Sequence, residues 1–513
     1  MAAVASLAIA TPLLLAAASP ATAQRAGSDP AQDAAKLAKK LVADSSGPGA
    51  YQHLKQFQAI ADSAGGNRAA GSLGHDASGA YVFGLLKKAG YDVHYEKFDF
   101  TYIETQAEKL TVDAPAPRDV DIIAMSYTRS TPVGGLKAAV AHVPVDETTG
   151  CEAGDYAAGF TGKIALVKRG GCSFAQKQAT AATAGAVGAI IYNNEAGALN
   201  GTLGTPADAK LPTGGISLAD GEALAADVAK GPVTVTLDIR QLQQKKTTRN
   251  VVAETKGGNA DRTVMLGAHL DSVTDGPGIN DNASGSAGLT EVALNLAKAT
   301  KDGKKPANKV RFAWWSAEEL GLLGAEDYVA KLTPEQRAKI ALYLNFDMIA
   351  SPNFGQFVYD GDNSDNTGSG PGPEGSAQLE KGINDFLDSR SFPHEGTDFD
   401  GRSDYGPFID HGIPSGGTFT GAEGVKTAAQ AAKFGGQAGV AYDKCYHSKC
   451  DDITNINQKA LDINVDVIAN AVGTYAHDLS SLGKPVVSQP TTGGDSGSGG
   501  LHSGHGHGGA VSS

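Results

Sequence analysis

Histidine and carboxylate side chains recur in five short segments: GAHLDS around His269, GINDNASG around Asp281, WWSAEELG with Glu318 and Glu319, LNFDMIA around Asp347, and CYHSKC around His447. Each segment alone is a weak signal, because a single Asp or His after a strand more often caps a turn or faces solvent. Together they form an inventory. Zinc takes imidazole nitrogen and carboxylate oxygen, and a two-cation hydrolase needs one carboxylate between ions about 3.5–4 Å apart, with terminal ligands on either side. His269, Asp281, Glu319, Asp347 and His447 can fill those places, at separations of 12, 38, 28 and 100 residues. Glu318 and Glu319 are expected where a strand ends, so that the adjacent side chains diverge and one can bind metal while the other moves a proton. Against this stands a structural role for the pair as the cap of a helix over 320–332.

Such groups act only if the fold gathers them. Residues 264–270, 310–316 and 341–348 are near-continuous apolar runs of strand length, the texture of a sheet covered on both faces. Between the first two, Leu289, Val292, Ala293, Leu296 and Ala297 make the stripe of an amphipathic helix. The acidic and imidazole groups follow the C-terminal ends of these strands, where open α/β sheets place their ligands. Upstream, Val82, Leu85, Leu86 and Ala89 recur at helical spacing, Gly90 supplies the stop, and 91–100 reads as a strand. From about 111 to 237 the chain turns to short Val-rich segments broken by Gly and Pro, the mark of a separate unit.

A chain of 513 residues calls for two folded units plus flexible ends. Hydrophobic residues at 41% and charged residues at 19% exclude wholesale disorder and a membrane bundle. A net charge of -13 argues against a nucleic-acid partner, whose binding draws on Lys and Arg. Residues 1–23, Ala/Leu-rich and ending in Ala21-Thr22-Ala23, read as a secretory signal, although no Lys or Arg precedes the apolar run. No later stretch offers the roughly 20 apolar residues of a spanning helix, so the expected product is secreted, extracellular and without a membrane span. In that setting Cys151 with Cys172 and Cys445 with Cys450 read as two disulfides. Structural zinc is the weaker alternative, since neither pair has the C-x-x-C spacing.

In order and wording the five segments resemble the co-catalytic zinc aminopeptidases of peptidase clan MH, family 28, among them the secreted bacterial leucine aminopeptidases and aminopeptidase S-like enzymes. The stretch GKIALVKRGGCSFAQKQATAATAGAVGAIIYNN resembles the protease-associated (PA) domain, with a strand at 164–167, a turn at Gly170 and Gly171, an Ala-rich helix and a strand at 189–192. The likeness implies a central mixed β-sheet flanked by helices, the zinc exopeptidase or phosphorylase/hydrolase-like fold, with a small β-rich PA domain inserted. The implied divisions are a signal at 1–23, an N-terminal part of the peptidase at 24–118, the PA domain at 119–237, the catalytic domain at 238–482 and a Gly/Ser/His-rich tail at 483–513. By the same likeness Asp281 bridges two zinc ions, His269 and Asp347 complete one site, and Glu319 and His447 the other. Glu318 is then the general base. Zinc lowers the pKa of bound water from 15.7 towards about 7, and a nearby carboxylate finishes the deprotonation. Tyr446 would donate to the oxyanion of the tetrahedral intermediate, and the Cys445–Cys450 link would hold Tyr446 and His447 in a fixed turn.

The substrate implied is the N-terminus of a peptide or protein, taken by a monomer, with Glu318 and Asp347 facing the α-amine. FDGRSDYGPFIDHGIPSGGTFTGAE resembles the family's pocket region, with Arg402 and Phe419 at the border and Met348 behind, which suits a Leu-like residue. Arg402 could equally pair with Asp400 or Asp404, and Phe419 could be core. Two rivals remain: a carboxypeptidase of the same clan, which needs a cationic cluster where only Arg402 is evident, and a non-catalytic receptor-like protein, whose relatives lose metal ligands. Asp462 and Asp466, four apart on a predicted helix, match a calcium pair in some relatives or form an acidic face. GDSGSGG and the histidines His502, His505 and His507 are read as tail composition. Gly65, Gly66 and Gly71 lack a dinucleotide-binding setting and are expected to shape a loop near the site.

Overall fold

A computed structural model of the protein describes residues 29–486 apart from 157–158, 196, 302–304 and 369. The signal read at 1–23 and the tail beyond 486 lie outside the described residues, as do His502, His505 and His507.

The three apolar runs form adjacent parallel strands, Ile340–Phe346, Asn259–His269 and Asn308–Trp315, in that order across the sheet. Beyond Ile340–Phe346 lie Ser415–Phe419, parallel, then Phe357–Tyr359, antiparallel, and Glu395–Thr397 at the edge. The sheet is mixed because antiparallel pairing flanks the parallel strands on both sides, the second instance being Thr234–Glu254 against Asn308–Trp315. Neighbouring Trp314 and Trp315 point to opposite faces, as pleating requires. Both are fully buried, Trp314 in the core with the helices Gly47–Ser63, Ser284–Ala299 and Gln458–Tyr475, Trp315 in the core with Tyr343 and Phe408. Their indole N–H groups are satisfied by the Ser286 carbonyl and the Tyr343 hydroxyl.

The helix read from Val82 to Ala89 spans Leu73–Ala89, with Ser72 capping its start and Gly90 ending it at φ 100. The strand expected at 91–100 continues to Ala114 and pairs antiparallel with Thr234–Glu254 over its whole length. This ribbon leads out of the main sheet into the inserted unit, where Leu136–His142, Ile164–Lys168, Gly188–Tyr192 and Thr213–Ile216 continue the sheet. The Ala-rich segment is the helix Phe174–Thr183. The unit has its own apolar core, including Leu166, Ile190, Leu224, Val235 and Leu237. Both expected disulfides are formed, with S–S distances of 2.08 Å for Cys151–Cys172 and 2.06 Å for Cys445–Cys450. Among the described residues no helix is long and apolar enough to cross a membrane.

Candidate metal centre

Three parallel strands end side by side, and each hands its next residues to the same spot. His269 is the last residue of Asn259–His269, Asp347 follows Ile340–Phe346, and Glu318 and Glu319 follow Asn308–Trp315. The expected helix 320–332 is shorter, Leu323–Lys331, so the two glutamates belong to the turn before it, not to its cap. Ala317 at φ 58 bends the chain there, and Glu318 N–H donates to Asp271 Oδ1 at 3.3 Å.

Asp281 lies between the imidazoles. Its Oδ1 is 3.2 Å from His269 Nε2 and its Oδ2 is 3.2 Å from His447 Nε2. On one side His269 Nε2 is also 3.4 Å from Asp347 Oδ1 and 3.8 Å from Glu318 Oε2; on the other, His447 Nε2 is 3.0 Å from Glu319 Oε2. The side chains of His269 and Asp281 are nearly inaccessible, whereas His447 keeps 30% of its side-chain exposure and marks the open side. His269 Nδ1 lies 3.2 Å from the carbonyl of Asp271, so a proton there leaves Nε2 to act as a ligand.

The charges are closely coupled. Burial would lower His269 and His447, but the surrounding carboxylates overcome it and raise His269 well above its ordinary value and His447 to about 11. Asp281 is pushed up by burial, yet bonds from both imidazoles hold it below the usual carboxylate range. Burial raises Glu318 well above that range, offset in part by His269 and reinforced by Asp347 and Asp404. A cation bound among these groups inverts this sharing by displacing protons from the imidazoles.

Sequence reasoning missed the groups that hold these candidate metal-binding side chains in place. Asp451 accepts the N–H groups of Asn280 and Asp281 at 2.8 and 3.0 Å, fixing the backbone of the central carboxylate, whose peptide bond to Asn282 is cis. Fully buried Arg68 donates to the carbonyls of Leu270, Pro277 and Gly278; it comes from the loop with Gly65, Gly66 and Gly71. Ser403 Oγ donates to Asp347 Oδ2 at 2.6 Å and is itself held by Asn345. The available signal was position alone: Asp271 two residues after His269, Asp451 four after His447, Ser403 and Asp404 next to Arg402.

The pocket residues resolve differently. Arg402 takes neither expected side-chain partner: its guanidinium donates to Glu423 Oε1 at 2.9 Å and to the Tyr446 hydroxyl at 3.1 Å, while only its backbone N–H meets Asp400. Tyr446 stacks on His447 at 3.8 Å between ring centroids. Phe419 is half-buried against an aromatic cluster with Phe357, and Met348 is buried with φ 46, its N–H on Asn282. Asp466 pairs with Arg390 at 2.8 Å, and Asp462 accepts the N–H of Gly47, so each acidic group on that helix has a partner within the protein.

With this geometry in place, comparison with known proteins defines the class. The profile of Peptidase family M28 matches residues 250–472, and that of the PA domain matches 136–224. The chain belongs to peptidase family M28, with a PA domain inserted in the peptidase. Leucine aminopeptidase 2 of Trichophyton equinum is 45% identical over 427 residues, covering 83% of this chain and 82% of its own. An aminopeptidase of Pseudomonas aeruginosa is 46% identical over 433 residues, covering 82% of this chain and 78% of its own. Relatives are thus fungal as well as bacterial, so the likeness is wider than the bacterial enzymes expected from sequence. Among solved structures, the aminopeptidase from Aneurinibacillus sp. strain AM-1 superposes with a TM-score of 0.68 at 27% identity, over 85% of this chain and 95% of that one. The zinc aminopeptidase BSAP from Bacillus subtilis gives 0.57 at 25% identity, over 83% and 94%.

Proposed function

We propose that this metalloaminopeptidase works with two zinc ions, one held by His269 and Asp347, one by Glu319 and His447, with Asp281 between them. What supports the reading most is that the two Asp281 oxygens face different imidazoles, each at 3.2 Å. Ligands about 2.0–2.1 Å from a tetrahedral zinc lie about 3.3 Å from one another, and the four pairs here span 3.0–3.4 Å. The donors suit the metal too: Glu319 Oε1 and Asp347 Oδ1 are buried without a hydrogen-bond partner, a costly state that a cation relieves. Zinc held there supplies Lewis acidity, acidifying a water and drawing charge from the scissile carbonyl.

The chain's own groups do the rest. Glu318, lifted in pKa by burial, accepts a proton from the attacking water and delivers it to the departing amine. Tyr446, with its ring fixed on His447 and its oxygen held by Arg402, donates a hydrogen bond through its hydroxyl to the developing oxyanion and keeps its proton. Glu318 and Asp347 attract the cationic α-amine, and Arg402, Phe419 and Met348 border the side-chain pocket, which favours a hydrophobic, Leu-like first residue. Arg402, the cationic candidate that a carboxypeptidase would need for a terminal carboxylate, is already engaged by Glu423. All these groups come from one chain, so a monomer would suffice as the working unit. The two disulfides suit a secreted, extracellular product.

Peptides blocked at one end test the reading. Release of the N-terminal residue should vanish after N-acetylation and survive C-terminal amidation; cleavage indifferent to acetylation contradicts it.

A further inference from the structure

One side chain outside the constellation pins both ends of the loop 316–324 that carries Glu318 and Glu319. Asn250 is fully buried, accepts the N–H of Ser316 at 3.0 Å through Oδ1, and donates through Nδ2 to the carbonyl of Gly324 at 2.9 Å. Two residues earlier on the same strand face, Thr248 Oγ1 meets Ser316 Oγ at 2.6 Å. Within the loop, the N–H groups of Gly321 and Leu322 donate to the Glu318 carbonyl at 2.8 and 2.9 Å. Ala317 and Leu322 take φ of 58 and 60, a conformation that non-glycine residues hold only where their surroundings enforce it. Those surroundings are apolar: Ala317 packs with Ala70, Phe98 and Phe100. Any side chain at Gly324 would collide with the Ser316 backbone and the Asn250 amide.

Every one of these supports except Ala70 stands on the ribbon that leads to the PA domain. Thr248 and Asn250 belong to Thr234–Glu254, and Phe98 and Phe100 to Asp92–Ala114. The strand returning from the insertion is therefore the pillar of the glutamate loop.

We propose that Asn250 is a positioning residue for the reaction, holding the loop ends so that Glu318 faces the attacking water and Glu319 faces its cation. The inference rests on the roles proposed for those two glutamates. Without the amide, the buried Ser316 N–H is left unpaired and the Gly324 carbonyl keeps only its helical partner, so the loop relaxes to satisfy the lost donor. A displacement of about 1 Å in a group that must be held in register costs on the order of a hundredfold in rate. Asp347 and Arg402 stand on other loops, so substrate binding suffers only in the share that Glu318 gives it and most of the loss falls on kcat.

The test compares Asn250→Ala, Thr248→Val, Glu318→Gln and Leu237→Ala, the last a buried PA-domain position that lowers stability without touching the loop. For each, kcat, KM, Tm and zinc affinity by chelator competition are measured. Asn250→Ala should lower kcat by about 10–100-fold with a smaller rise in KM, and weaken one of two zinc affinities by a similar factor. Thr248→Val should do the same to a smaller degree, and Leu237→Ala should lower Tm alone. Wild-type kcat and zinc affinities in Asn250→Ala overturn the proposal, as does an equal loss of kcat in Leu237→Ala at equal Tm. If Asn250→Ala does not fold, Thr248→Val decides: unchanged kcat and zinc binding there overturn it. Full turnover in Glu318→Gln instead sinks the assignment of the base, while zinc affinity in the Asn250 variant still reports on the loop.

Discussion

In the inserted PA domain, Lys177 is fully buried, and its ammonium donates to the carbonyl of Thr149. Beside it Gln178 uses its whole amide, donating to Ala175 and Asp208 and accepting from Lys210 and Leu211. In the peptidase body, Asp404 is just as buried, yet neither of its oxygens has a hydrogen-bond partner. Asp271 Oδ2, Glu319 Oε1 and Asp347 Oδ1 share that condition, whereas among the described residues no such orphan lies between 119 and 237. One region buries polar groups to complete a fold. The other buries acids in excess of what its own donors satisfy, and such a surplus persists only if protons or cations balance it. The distinction separates a scaffold from a site without reference to any relative.

Substitutions can sharpen or break that contrast. The largest effect is expected from Glu318→Gln, which should cut kcat by about 10²–10⁴-fold while leaving two zinc ions per chain; loss of zinc with activity would show that Glu318, not Glu319, is the ligand. Next comes Ser403→Ala, which removes the donor to Asp347 and should weaken zinc binding by about 10–100-fold in a chelator titration. Unchanged affinity would make Ser403 mere packing. In the PA domain, Leu237→Ala should cost about 2–5 kcal/mol in denaturant unfolding with kcat preserved; a matching loss of kcat would erase the line between the two regions.

The smallest effect concerns Glu380. Burial pushes its carboxyl up to about 7, opposed by the Gly361 N–H and reinforced by the charges of Asp360 and Asp362. Since the folded value lies above the unfolded 4.5, its stabilisation is complete below 4.5 and fades as pH rises through about 7. Glu380→Gln should therefore raise Tm by about 2–4 °C at pH 8 and change it little at pH 4.5. The same Tm difference at both pH values would refute the linkage.

What the sequence made legible were the imidazole and carboxylate groups that the fold gathers and the apolar strands that deliver them. His269, Asp347 and the Glu318–Glu319 pair could be placed because uninterrupted apolar runs precede each one. The ribbon could not be read, because its stretches TQAEK and QLQQKK lack apolar alternation; solvent meets both faces there, so no periodicity records the pairing. Asn250, Asp451 and Arg68 were hidden for another reason. Each works through backbone groups far away in the chain, Asn250 on Ser316 and Gly324, Asp451 on Asn280 and Asp281, Arg68 on Leu270, Pro277 and Gly278, and backbone partners leave no mark on residue type. Arg402 was visible as a charge, but its choice of Glu423 and Tyr446 over nearby Asp400 and Asp404 is set by the fold alone.

The shared carboxylate is tested most directly by anomalous diffraction at the zinc edge from crystals of the zinc-loaded enzyme. Two peaks about 3.5–4 Å apart are predicted, each about 2.0–2.2 Å from a different oxygen of Asp281. A single peak, or a pair in which Asp281 reaches only one ion, would contradict it.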